Sequence, residues 1–397
     1  GSWRWTSVLS KASWLGIFFV AMNVGFGRLT NVFVSWLIAA LVSSGASVGA
    51  VSGVFCAVGV LLFMIPPVPG FAVYLCGAFL LPRITRSFWE GVALAAGLSF
   101  ALKLLAVVLQ QKGIGERLGN RVWVRSLVGI NSLTMRAIRH ILEEPGLTPA
   151  KVCILVGGPD WPTSVVTGIL RLPVGQMLLG TTPVVLVVVT VTVAGAFQLR
   201  RGEGPVWAAV SDLALALASA VMFATLLAAA YFIEETAERH RAELEALPRD
   251  EAVDAESRRA ERRAADFHRL TAWGAGEDAP GARRLPAWAK ALLLVAFACQ
   301  VFACYTSQLF SSACFQPFEM TDSIEEDLGG DWTNIAKPLG RAVLLAFAVG
   351  CAGTAAFQAW GSRRVSGLQA TRHVVGARDE ELQTVSEGAR GRSPQVL

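Results

Sequence analysis

The chain has 397 residues, of which 53% are hydrophobic and only 16% charged, with a formal net charge of +5. Soluble proteins carry about 25% charged residues, so this composition excludes a large water-soluble core and with it the common soluble enzyme classes. From Leu29 to Pro82 there is no Asp, Glu, Lys or Arg, a run far longer than the roughly 20 apolar residues one helix needs to cross a bilayer.

The first residues, 1–12, form a polar lead with two tryptophans, Arg4 and Lys11. Trp14–Phe26 is apolar, Gly27–Asn31 interrupts, and Val32–Val42 resumes, which suits either one long span broken near Arg28 or two short elements. A turn at Ser43–Ser47 closes an N-terminal membrane-helix region, 1–47. Val48–Met64 then runs into Ile65-Pro-Pro-Val-Pro-Gly70, followed by Phe71–Leu81 and Pro82. Phe88–Gln110 reads as the next span, in which Gly91 and Ala95, and Ala93 and Gly97, stand four apart, a spacing that favours close helix packing. Lys103 lies inside it. An ionisable group at that depth is a functional candidate, unless it snorkels to a span end about two turns away.

Lys112–Lys151 is the most basic short loop, and Val122–Leu142 interleaves arginines with apolar residues, as an amphipathic helix on an anionic leaflet does. The positive-inside rule gives this loop a cytosolic address. A second interrupted stretch, Gly157–Pro183, carries Pro159, Pro162, Pro173 and Pro183 and runs into the Val-rich span Val174–Phe197. After the turn Gln198–Pro205 comes a span at 206–233, then a charged cytosolic helical segment at 234–284 in which Glu235/Arg239 and Asp254/Arg258 are spaced to pair. Two last spans occupy 287–360, joined by an acidic loop, 313–335, with no Lys or Arg; the tail 361–397 is polar and is expected to be disordered. The charge asymmetry puts the acidic loop on the lumenal side and the tail on the cytosolic side, against the opposing evidence of Arg83, Arg86, Arg200 and Arg201.

Prolines at bilayer depth free backbone groups that hydrocarbon cannot satisfy, so broken helix survives there only when buried in protein or lining a wet cavity. Two proline-broken, glycine-containing elements, each followed by a long apolar helix, predict an inverted repeat with a site between its halves. The expected fold is therefore an all-α polytopic membrane protein with two re-entrant proline-broken helical hairpins and extra C-terminal transmembrane helices. The residues expected to line the substrate path are Pro66, Pro67, Pro69, Gly70, Gly77, Gly97, Lys103, Pro159, Asp160, Pro162, Gly168, Gly180 and Pro183. Asp160 suits either an N-cap on a half-helix Ser164–Leu170 or a substrate contact, and Arg171 either a cap on that helix's carbonyls or a headgroup contact.

The block Phe63-Met-Ile-Pro-Pro-Val-Pro-Gly70 with Gly77-Ala-Phe-Leu-Leu-Pro82 resembles the first re-entrant loop of the VTT-domain proteins, the bacterial DedA proteins and the vacuole-membrane and SNARE-associated Golgi relatives. Gly158-Pro-Asp-Trp-Pro162, Thr167-Gly-Ile-Leu170 and Leu179-Gly-Thr-Thr-Pro183 are similar to that family's second loop, so the resemblance covers about 63–197, the VTT-like part of a core at 48–200. It implies phospholipid scrambling between leaflets, with proton-linked carriage in bacterial members, and an endomembrane location in eukaryotic ones. Those bacterial members place an acid in the first loop and an arginine before the second. Here 62–82 is uncharged and Val156 or a neighbour holds the arginine's place, which favours a passive lipid groove over proton coupling.

No HExxH, P-loop, GxSxG or dinucleotide fingerprint occurs, and Gly113-Ile-Gly115 lacks the required spacing. The four histidines (140, 240, 268, 373) are scattered and the seven cysteines lack metal spacing, although Cys304 and Cys314 could pair in a lumenal loop. No catalytic residue, metal, cofactor or nucleic-acid partner is expected. The expected partners are membrane lipids and, through 234–284, a cytosolic protein. Beside a lipid scramblase or transporter stand two other readings, a non-transporting scaffold and an ion-coupled small-solute transporter.

Overall fold

The computed structural model describes residues 4–273 and 285–390, with side chains through 368. The predicted segments 234–284 and 361–397 therefore lie partly outside the described residues. Among those described, every regular element is helical, and the β-type pairing is limited to one isolated antiparallel bridge between Phe315 and Ala336.

Six helices are long and apolar enough to cross a membrane, namely Trp5–Ser43, Phe88–Gly119, Val174–Gln198, Pro205–Arg239, Ala287–Leu309 and Pro338–Leu368. In chain order, α1 (Trp5–Val20) passes through a π-helical segment into α2 (Gly27–Ser43), so the N-terminal apolar stretches form one continuous helix despite the Gly27–Asn31 interruption. Next come α3 (Val48–Met64), α4 (Gly70–Ile84), and α5 (Phe88–Val108), which continues through a π-helical stretch, Leu109–Gly115, into α6 (Glu116–Gly119). The basic loop holds α7 (Val122–Val128) and α8 (Leu133–Glu143). The second interrupted stretch divides into α9 (Pro149–Gly157), α10 (Asp160–Ile169), α11 (Val174–Thr181) and, past a short turn, α12 (Val185–Gln198). The remainder is α13 (Pro205–Arg239), α14 (Arg241–Ala246), α15 (Glu251–Leu270), α16 (Ala287–Leu309), α17 (Ser311–Cys314), α18 (Ile324–Asp327) and α19 (Pro338–Arg390).

These boundaries follow from local chemistry. Ser47 and Thr148 cap α3 and α9, accepting from the amides of Ala50 and Lys151 at 3.3 Å each. Pro149 sits at the first position of its helix, where its missing N–H leaves nothing unbonded. Helix α3 stops at Ile65 because Pro66 forces its predecessor into extended geometry. Gly158-Pro159 and Pro173 end α9 and open α11 for the same reason.

The described chain falls into two compact units. The larger holds Met22–Arg258 and Gln316–Ile335, and the smaller holds α1 with residues 259–315 and those from Ala336 on. In the smaller unit α1, α16 and α19 pack together. Small residues permit this: a Cβ on Gly16 would stand 3.2 Å from Gln300 Cβ, and one on Gly353 3.0 Å from Ala296 Cβ. Where the sequence suggests a disordered tail after Gly361, the helix α19 runs on to Arg390.

At the centre of the larger unit lies α4, buried almost along its whole length, with Ala72, Ala78, Leu80 and Leu81 fully enclosed. It packs against α2, α3, α5 and α12. A helix apolar on every side belongs in such a place. By contrast α13, equally apolar, leaves Leu213, Leu217, Phe223 and Leu227 exposed as a lipid-facing span does.

Three expectations are corrected here. Val122–Leu142 is not one helix, because Gly129 in left-handed geometry separates α7 from α8. The apolar face of α8 is not free for lipid either, since Ile141 and Leu142 pack with Leu155, Met177 and Ala229. And the charged segment, through Arg258, does not stand free but is anchored on the basic loop while most of its side chains stay exposed: Arg136 donates to the carbonyls of Leu244 (2.6 Å) and Leu247 (3.0 Å), and Arg125 pairs with Asp250. Asp254 takes its bonds from Asn131 (2.8 Å) and Arg249 (2.9 Å), whereas the Glu235–Arg239 pair forms as expected. The acidic loop likewise folds back on α2, where Ser35 donates to the Asp322 carbonyl at 2.5 Å. All seven cysteines are free.

Gly168 gives the sharpest test of the packing. A Cβ there would stand 2.3 Å from the Gln111 carbonyl oxygen, a backbone atom that cannot swing aside, whereas one on Gly97 would meet nothing within 4 Å. Gly168→Ala is expected to destabilise the protein by about 1–3 kcal/mol, and Gly97→Ala to leave stability unchanged or slightly higher. Thermal unfolding of the two variants in one detergent compares them directly, and equal melting temperatures would contradict the close crossing.

Candidate functional site

The two proline-broken elements both pack against α5 and its π-helical extension. Lys103, on α5, is almost fully buried, with its side chain 3% accessible, and its ammonium pairs with Asp160 at the start of α10. Asp160 does not cap α10, as the sequence allowed; it occupies the first helical position behind Pro159 and turns its carboxylate to the lysine. The carboxylate gains twice from this placement, from the ammonium and from the positive end of the α10 dipole. Pro162 sits in the same first turn, where amides have no intrahelical acceptor, so the ring costs no hydrogen bond.

Gly70 completes the contact from the first element. A Cβ there would fall 2.3 Å from Asp160 Oδ2, so glycine is what lets the start of α4 reach the carboxylate. Tyr74, one turn further along α4, lies within electrostatic reach of Asp160. Gly70, Lys103 and Asp160 are thus brought together from three helices, although 57 residues separate the two charged ones in sequence.

Satisfying the broken backbone falls to side chains that sequence reasoning did not single out. In an uninterrupted helix the Phe63 carbonyl would accept from residue 67, but Pro67 has no N–H. Gln110 replaces it, donating Nε2 to Phe63 O at 2.7 Å. The next residue, Gln111, serves the second break differently, donating at 2.7 Å to the carbonyl of Leu172 in the non-helical turn ahead of Pro173. At Pro183 the missing donor for Leu179 O is supplied by the neighbouring Thr182 hydroxyl, also at 2.7 Å. Gln110 and Gln111 are 1% and 0% exposed, so water is no alternative for either carbonyl. The signal available in sequence was a pair of amide side chains at the end of an apolar span, next to prolines elsewhere that needed donors.

The remaining predicted residues have structural settings. Gly77 admits the Phe55 ring and the Ser99 hydroxyl, with a Cβ standing 2.9 and 3.3 Å from them. Gly180 accommodates Leu155 and the stem of Lys151. Gly168 and Gly115 make a backbone-to-backbone crossing, and Pro66, Pro69, Pro159 and Pro183 form the bends themselves. Gly97 faces open space and is not drawn into the cluster. Two further polar atoms, Trp161 Nε1 next to Asp160 in sequence and Gln111 Oε1 towards the other end of α10, are buried with no hydrogen-bond partner among the described residues.

No known protein family, curated protein or solved structure matches this chain. Its function is therefore argued from the site itself.

Removing one half of the ion pair isolates the other. Lys103→Met is expected to cost up to about 3 kcal/mol, at the low end for a buried pair because the Asp160 side chain is still 28% accessible. The double variant Lys103→Met/Asp160→Asn should recover most of that loss. Chemical or thermal unfolding of the four proteins forms a double-mutant cycle, and strictly additive losses would mean that the two residues do not interact.

Proposed function

We propose that this chain is a polytopic membrane protein that moves phospholipid between leaflets, a scramblase or lipid transporter of the VTT/DedA type in an endomembrane. In this reading α4 and α10 are the re-entrant halves of an inverted repeat, and the seam between them is the lipid path. The observation that carries it is the convergence of both proline breaks on the Lys103–Asp160 pair. Helix lengths agree. Helix α10 has 10 residues, about 15 Å, half of the roughly 30 Å hydrocarbon core, and α4 has 15, about 22 Å. Neither spans the core alone.

The chemistry also suits a headgroup. A lipid phosphate arriving at the seam would meet an ammonium, a helix N-terminus and one unpartnered donor, the Trp161 indole N–H. The titratable pair itself favours a second reading, ion-coupled movement of a small solute, in which Asp160 would carry the proton.

Reconstitution in liposomes with fluorescent lipid in both leaflets tests the proposal. Dithionite should bleach well beyond the outer half of the fluorescence, and the Lys103→Met/Asp160→Asn protein, still folded, should scramble at least tenfold more slowly. Bleaching that halts at half for the wild-type protein would end the lipid reading. A rate whose pH profile Asp160→Asn leaves unaltered would remove Asp160 as a coupling group.

A further inference from the structure

Two cavities open where α6, α8 and the end of α10 approach one another in the larger unit. The smaller, about 380 Å³, is lined by Lys112, Glu116, Arg117, Asn120 and Arg171. The larger, about 860 Å³, shares Asn120 and Arg171 and extends to Arg125, Arg136 and Arg139.

Most cations on these walls are already matched. Lys112 pairs with Glu116 at 2.5 Å, Arg139 with Glu143 at 2.8 Å, and Arg125 with Asp250. Arg136 is occupied by the carbonyls of residues 244, 247 and 248. That leaves Arg117 and Arg171, for which the described residues supply no carboxylate. Arg171 donates instead to the neutral Asn120 Oδ1, at 2.6 Å.

The backbone of Arg171 carries an independent signal. Its φ is +56°, and every other described residue with positive φ is a glycine. The geometry is that of a Schellman cap: Leu172 N–H bonds the Thr167 carbonyl at 3.0 Å and Arg171 N–H the Gly168 carbonyl at 2.9 Å. Backbone amides therefore close the end of α10, and the arginine side chain is not needed as a cap. Glycine would take this position without strain. A side chain kept at a strained site points to a use for that side chain.

We propose that Arg171, with Arg117, binds a phosphate group, carried either on a lipid headgroup or free in solution. Guanidinium groups match phosphate oxygens in paired, charge-assisted hydrogen bonds. Two of them outside any ion pair, with the Glu116 carboxylate on the same wall already taken by Lys112, suit a doubly charged phosphomonoester better than a zwitterionic headgroup. The site requires neither break to be re-entrant and stands apart from the lipid-moving reading.

The test uses the full chain in a neutral detergent at fixed ionic strength, titrated with dioctanoyl phosphatidic acid, dioctanoyl phosphatidylcholine and sodium phosphate. Phosphatidic acid is expected to bind saturably and at least tenfold more tightly than phosphatidylcholine. Arg171→Gly should weaken that binding at least tenfold while the melting temperature stays level or rises, because strain is relieved. Arg117→Ala should weaken it in the same direction without touching the cap. Inorganic phosphate binding as tightly as the lipid would assign the site to free phosphate, and a tenfold preference for phosphatidic acid would assign it to a headgroup. Equal affinity for the two lipids, or an Arg171→Gly protein that binds like the wild type, would overturn the proposal.

Discussion

The structure depends on one constraint: every backbone carbonyl that a proline deprives of its donor must find another donor without water. In the larger unit one helix, α5 with its π-helical extension, meets it at two of the breaks. Gln110 serves the break before α4, Gln111 serves the break before α11, and Lys103, two turns back along α5, holds the aspartate that opens α10. Adjacent residues on a helix project roughly 100° apart, so two consecutive glutamines can serve two elements packed on different sides. The π-helical stretch that contains them widens the turn where both must be buried.

Close approach is the second half of the same solution. Side-chain donors of fixed reach help only if the broken elements come within that reach, and the glycines set the distance. Gly168 and Gly115 let α10 lie against the π-helical stretch backbone to backbone, and Gly70 lets α4 begin beside the Asp160 carboxylate. Glycine, proline and amide positions in this chain are thus parts of one arrangement.

Much of this arrangement was legible in the sequence, and for physical reasons. Apolar runs of membrane length and the bends at proline are local properties, so the spans and breaks emerge close to where composition and backbone chemistry put them. Lys103 stood out because an isolated charge in an apolar run must either reach a span end or find a partner, and the sequence left both open. Asp160 stood out as well, but the pairing did not, since nothing local records a contact 57 residues away. The glutamines were missed because an amide at the end of a span is unremarkable until the carbonyl it serves is known. The apolar letters of α4 and α13 are alike, yet one is enclosed and the other bare, a difference fixed by tertiary packing alone. Arg171 fits the same pattern: its left-handed backbone depends on Thr167 and Gly168 closing the helix, which its own letter contradicts.

The resident ion pair also bears on how a lipid path could work. A lysine and a helix N-terminus alone would hold a phosphate tightly, and a site that binds too well stops turnover, since passage requires a substrate to leave as readily as it enters. Asp160 carries the same sign of charge as a phosphate and already occupies that position, so an arriving headgroup must compete with it for Lys103. The carboxylate is 28% accessible while the lysine is 3% accessible, so the exchangeable partner is the one facing outward and the buried one stays fixed. In the lipid-moving reading, Gly70 then matters beyond packing. Any side chain there would press on the carboxylate and on the space a phosphate would have to use, so the first break keeps open the ground over which the second break's charge and the substrate's would trade places.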